Sequence, residues 1–237
     1  MIIGILFFSA FLGGLSVFTV KRDNSRILKL ILAFSGAYLF SITVLHLIPD
    51  VYGQKNEHIG IFILAGFLFQ LLLEQFSEGI EHGHIHQHTH GQESSVFPLG
   101  VMISLCLHAF LEGMPLASGH QNPLLFGIAL HHIPAAFALA SLLLNSHLPK
   151  NKIIAMIIVF AAMSPLGYLL SYSIKAGGIS DFSNYYNSIM AVVIGIFLHI
   201  STTILFESSS TDHRYNRHKM IAVLLGVGIS FLSFVWH

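Results

Sequence analysis

Acidic and basic residues are scarce: only 9% of the 237 residues are Asp, Glu, Lys or Arg, against about 25% in a soluble domain. Together with 54% hydrophobic residues and a mean hydropathy of +0.74, that scarcity excludes a water-soluble globule and predicts an integral membrane protein. The charges that are present cancel, so nothing in them argues for a nucleic-acid partner. There is one cysteine, Cys106, which rules out an intrachain disulfide or a Cys-rich metal cluster and reads as a small core residue of an apolar helix. Residues 2–20 lack a basic segment before their apolar run and a cleavage pattern after it, so they are expected to be a span, not a signal peptide.

Long apolar runs, by contrast, fill the chain. A helical span needs about 20 mainly apolar residues, and eight stretches qualify: 2–20, 27–49, 58–79, 97–119, 123–145, 152–174, 185–206 and 219–236. The expected fold is all-α, a bundle of eight transmembrane helices forming one transporter-like domain over residues 1–237, with a polar cytoplasmic loop at 80–96. Nine of the Lys and Arg residues (Lys21, Arg22, Arg26, Lys29, Lys150, Lys152, Arg214, Arg217 and Lys219) fall on one side of such a bundle, and only Lys55 and Lys175 on the other. The richer side is cytoplasmic by the positive-inside rule, which puts both termini outside.

Against this apolar background the polar residues inside the spans stand out, because a charged side chain at the bilayer centre costs about 2.5–3.5 kcal/mol on insertion scales. The fourth span carries His108 and Glu112, four apart and therefore on one helical face. The fifth, after a connection of a few residues, carries His131 and His132 followed by Pro134. At ~1.5 Å of rise per residue, Glu112 and His108 lie roughly 10 and 16 Å below the outer end of their helix, and His131 roughly 12 Å below Pro123. The short connection predicts that the two helices run antiparallel as neighbours, with Gly113, Ala117, Gly119, Ala135, Ala136, Ala138 and Ala140 forming a surface for tight packing. Imidazoles with one carboxylate favour a first-row divalent ion, Zn²⁺ in particular, over Mg²⁺ or Ca²⁺.

Other polar groups line up above and below that level. His46 and Asp50, around Pro49, stand near the outer end of the second span as a cation-attracting mouth or, for Asp50, simply as a helix end. Ser164, before Pro165, lies at a depth comparable to the central residues. His199 and Glu74 come next toward the cytoplasm, then Glu207. Five histidines, His82, His84, His86, His88 and His90, recur at every second position of the third connection, which reads as a disordered loop that binds divalent metal loosely or as a solvated linker. Ligands stepping from face to face are what a permeation path requires, whereas an enzyme needs one site. Transport is thus expected over the alternatives, an intramembrane zinc hydrolase and a metal-sensing membrane protein; no His-Glu-x-x-His motif is present.

The motifs HLIPD at 46–50, HAFLEG at 108–113, HHIP at 131–134 and SPLG at 164–167, with the His-rich third loop, resemble those of the ZIP (Zrt-, Irt-like protein) family of divalent-metal transporters across all eight spans. The resemblance implies a non-enzymatic, zinc-preferring importer, with Fe²⁺, Mn²⁺ and Cd²⁺ as other substrates. It further implies a homodimer in the lipid bilayer that works by alternating access of one helix bundle against another. His108, Glu112 and His131 match the family's principal site. Ala109 stands where many members have Asn, Ala135 where His or Glu is usual, His132 where Glu or Asp is frequent, and Ser164 where two-metal members have Glu. One principal ion is therefore expected, its shell completed by His132 or water. Short connections suit a bacterial inner membrane.

Overall fold

The computed structural model describes residues 1–19, 25–53, 58–77, 99–117, 121–146, 148–176, 182–207 and 213–235. The expected loop at 80–96 and its histidines His82, His84, His86, His88 and His90 lie outside the described residues. All described elements are helical, so the chain is an all-α membrane protein. In order they are α1 (Ile2–Leu15) with a 3-10 turn at Ser16–Phe18, α2 (Ser25–Ile42), a π turn at Thr43–Leu47 leading into α3 (Ile48–Tyr52), α4 (Ile59–Ser77), α5 (Leu99–Gly113) with a 3-10 turn at Met114–Ala117, α6 (Gln121–Asn145), α7 (Lys150–Ala176), α8 (Phe182–Glu207) and α9 (His213–Val235). Among the described residues, seven helices are long and apolar enough to cross a membrane, α2 and α3 counting as one. The eighth, Ile2–Phe18, is shorter; it reaches roughly 27 Å, just under the ~30 Å hydrocarbon core.

Proline explains where the helices depart from regularity. Pro49 has no N–H to give the Leu45 carbonyl, and just before it the backbone loosens into the π turn, in which the Ile48 N–H bonds to the Thr43 carbonyl. At Pro115 the end of α5 tightens into a 3-10 turn. Its carbonyls are met from elsewhere: the Tyr186 hydroxyl donates to Pro115 at 3.1 Å and the Lys175 ammonium to Ala117 at 3.0 Å. Pro134 and Pro165 sit inside unbroken α6 and α7, leaving the Leu130 and Ala161 carbonyls without their usual partners.

In lipid, moving a leucine from acyl chains onto a neighbouring helix gains little, so helices associate where small residues let backbones touch. These contacts divide the molecule into two groups, α1, α5, α6 and α7 on one side and α2, α3, α4, α8 and α9 on the other. A Cβ on Gly113 would stand 2.0 Å from the Ser164 carbonyl oxygen, and one on Gly167 1.9 Å from that of Phe110, a reciprocal crossing of α5 and α7. Gly66 and Gly195 do the same for α4 and α8, at 1.9 Å from the Val192 oxygen and 2.0 Å from that of Ile63. Gly13 lies against Ile133 of α6, and Gly226 against Phe34 of α2. Between the groups, contact runs mainly through side chains, the backbones coming no nearer than the 3.5 Å between a Cβ on Gly100 and the Phe76 carbonyl oxygen among the described glycines. The Tyr38 hydroxyl donates to the Pro123 carbonyl at 3.2 Å, the Tyr38 ring meets Phe126 edge-on, and the Ser104 hydroxyl donates to the Leu73 carbonyl at 2.8 Å.

The apolar core follows this division at one end only. Around α3, one cluster runs across both groups, joining Leu6, Leu39, Val51, Leu116, Leu124 and Phe197. Toward the opposite end it splits into a core around Leu105, Leu139 and Phe160 and a separate one around Leu32, Ile196 and Ile200.

Two expectations need correction. Helices α5 and α6 follow one another but touch only over a short stretch: α5 packs chiefly on α7, and α6 chiefly on α1. The small residues accordingly do not form one surface. Gly113 receives α7, while Ala135, Ala136, Ala138 and Ala140 pack in the cluster that α1 and α7 complete. A short loop keeps two helices near each other in sequence, but the glycines decide which backbones meet.

Candidate metal centre

The gap between α5 and α6 holds the imidazoles and the carboxylate. Helical spacing stacks His108 over Glu112, with His108 Nε2 3.3 Å from Glu112 Oε1. From α6, His132 Nε2 donates to Glu112 Oε2 at 2.7 Å. The His131 ring lies edge-on to that of His108 with centroids 5.9 Å apart. One ligand-type atom each from His108, Glu112 and His131 falls within 4.8 Å of the others. Exposure is 2% or less at all four residues.

The hydrogen bonding is uneven. Among the described residues, Glu112 Oε1 and His108 Nε2 have no hydrogen-bond partner, and neither ring nitrogen of His131 has one, although the residue is fully buried. Buried polar groups are nearly always paired, and leaving one unpaired costs about 1–3 kcal/mol. Three of these atoms, one from each residue, lie within 4.8 Å of one another. Tetrahedral Zn²⁺, with bonds of about 2.0–2.2 Å, sets its ligand atoms about 3.4 Å apart. Shifts of an ångström or less would bring the three groups to that spacing.

Of the remaining sequence-predicted residues, His199 and Glu74 are brought together: His199 Nε2 hydrogen-bonds Glu74 Oε2 across the α8–α4 crossing, and the Phe67 ring covers the imidazole edge-on. Ser164 is buried, its hydroxyl unpaired among the described residues and its carbonyl against Gly113. His46, in the π turn, is buried against Phe234 of α9, and Asp50 is exposed in the first turn of α3. Glu207 is the last residue of α8, and its side chain lies outside the described residues. His46, Asp50, Glu74 and His199 do not share the ligand cluster found among the described residues. Sequence reasoning missed Gln70. It is fully buried on α4, with its amide oxygen 3.3 Å from His108 Nδ1. An amide in an apolar run, one turn before Glu74, was the available signal, since such a group needs a partner in lipid.

An all-α bundle of apolar spans enclosing imidazoles and a carboxylate defines a membrane protein of the ion-handling class. Residues 78–233 match the family described as ZIP Zinc transporter, and the chain belongs to that family. It is 26% identical over 207 residues to zinc transporter ZIP9-B of Xenopus laevis, covering 78% of this chain and 68% of the relative. To zinc transporter ZIP9 of Micropogonias undulatus it is 27% identical over 216 residues, covering 78% and 69%. To zinc transporter ZIP1 of Takifugu rubripes it is 25% identical over 263 residues, covering 90% and 87%. It is thus a multi-pass membrane protein of divalent-metal transport, not an enzyme.

Proposed function

We propose that the protein carries Zn²⁺ across the bilayer toward the cytoplasm through one intramembrane site formed by His108, Glu112 and His131, with His132 or water completing the shell. The observation that carries this reading is His131, a fully buried imidazole with neither nitrogen hydrogen-bonded among the described residues, facing Glu112 and His108 within 4.8 Å. Zinc brings two positive charges, which the single carboxylate offsets in part, and neutral imidazoles supply the remaining lone pairs. A single ion is favoured because Ala109 and Ala135, both 1% exposed, offer no ligand beside Glu112.

Alternating access is supported by the way the two helix groups are built. The tightest backbone-to-backbone glycine crossings lie within a group, while side chains carry most of the contacts between them, which supports movement of each group as a body over the other. The Lys and Arg asymmetry places the α3 end outside. There the core is continuous across both groups; at the cytoplasmic end it is divided, which suits a site closed to the outside and nearer release within. Asp50 and His46 then belong to the entrance, and His199, Glu74 and Glu207 to the exit, with Ser164 beside the centre. The His-rich loop would gather metal at the cytoplasmic face. Fe²⁺, Mn²⁺ and Cd²⁺ are proposed as further substrates, the homodimer as the working form, and the bacterial inner membrane as its place, on the strength of the short connections.

Purified protein in liposomes loaded with a zinc-sensitive dye is expected to admit zinc. His108→Ala and Glu112→Ala should each abolish the flux while the protein still folds. Normal uptake by both variants would remove the proposed site.

A further inference from the structure

Among the residues around the centre, one comes from the opposite helix group. Gln70 stands on α4, whereas His108, Glu112, His131 and His132 all stand on α5 and α6. Its side chain is fully buried, and its amide oxygen lies 3.3 Å from His108 Nδ1. An amide oxygen carries no hydrogen and can only accept. The contact is therefore a hydrogen bond only if Nδ1 carries the ring proton. The lone pair is then on Nε2, the nitrogen that faces Glu112 Oε1 at 3.3 Å.

We infer that Gln70 is a positioning residue for His108. It selects the tautomer that presents Nε2 to the ion, and because it belongs to the other group it does so only in the arrangement of α4 and α5 seen here. The neighbouring bond from the Ser104 hydroxyl to the Leu73 carbonyl crosses the same boundary, one turn toward the cytoplasmic end of α5, so the register that makes one contact makes both. Movement of the two groups past each other breaks the Gln70 bond and frees the His108 ring to turn. Zinc is then held less tightly in the other state, and affinity is tied to conformation by a residue that never touches the ion. Partners of this kind, one shell out from a metal ligand, typically contribute 10–100-fold in metal affinity.

This inference rests on the site proposed above, and its test separates the two. Zinc affinity of the purified full-length protein is measured by competition with a chromophoric chelator for wild type, Gln70→Leu, His108→Ala and the double variant, with Gln70→Met as a second near-isosteric change should Gln70→Leu fail to fold. Gln70→Leu, or Gln70→Met in its place, is expected to weaken zinc 10–100-fold, and to add less than a further twofold once His108 is gone. A role in packing alone would act equally in both backgrounds. If His108→Ala weakens zinc but the Gln70 variant binds as wild type, or if its loss is undiminished in the His108→Ala background, the positioning role is wrong. If His108→Ala itself binds zinc normally, the proposed site fails first.

Discussion

At the scale of single residues, the two side chains facing Glu112 do different work. His132 Nε2 donates to one carboxylate oxygen at 2.7 Å, while the other oxygen has no hydrogen-bond donor among the described residues. The first contact holds the carboxylate in place, and the second leaves an oxygen aimed at His108 and His131. His132→Ala is accordingly expected to lower the stability of the zinc-free protein by about 1–2 kcal/mol, the range for polar contacts between membrane helices, read as a drop in melting temperature. Glu112→Gln should spare the fold, because its amide oxygen still accepts from His132, but bind zinc far more weakly for want of charge. A Glu112→Gln protein that binds zinc as wild type would show that the carboxylate serves packing alone. Spacing in the sequence was enough to bring His108, Glu112 and His131 to one depth, since helical rise is fixed. It could not say that His132, not His131, would bond Glu112, nor that Gln70 would reach His108, because both depend on how helices rotate against each other.

At the scale of elements, the expected spans agree with the described helices, and the prolines mark their irregularities. Apolar length is a property of the chain alone, so it was legible. The neighbour of α5 was not: a short connection pointed to α6, whereas the backbone that comes closest is that of α7, at the Gly113–Gly167 crossing. These glycines are indistinguishable in sequence from Gly228, where an added Cβ would meet nothing within 4 Å. Gly113→Ala places a carbon 2.0 Å from a carbonyl oxygen, which backbone cannot evade without parting α5 from α7. A loss toward the upper end of the roughly 1–3 kcal/mol typical of overpacking is expected, together with reduced zinc flux, since Glu112 is the adjoining residue. Gly228→Ala should be neutral or slightly stabilising, as replacing a helical glycine by alanine gains about 0.5–1 kcal/mol where space allows. Melting curves of the two variants side by side decide the matter. Equal effects would mean that the crossing does not set the packing.

At the scale of the whole molecule, the proposed movement of the two helix groups is what would let a buried site serve both faces of a membrane. The four groups of the proposed site serve transport only if their exposure changes, and every one of them is 2% exposed or less. The α5 and α6 group carries them all, so displacement of that group against α4 and α8 is the motion that would uncover the ion. The boundary can be pinned where the Ser104 hydroxyl meets the Leu73 carbonyl. In a Cys106→Ala background, Ser104→Cys paired with Leu73→Cys and joined by a short bis-methanethiosulfonate reagent should stop zinc flux while the protein still binds zinc. Cleaving a reducible linker should restore the flux, and each single cysteine treated in the same way should transport normally. Binding survives in this prediction because the pinned register is the one in which Gln70 reaches His108. If the cross-linked protein carries zinc at the normal rate, the two groups do not move against each other there, and access to the centre must come from within one group.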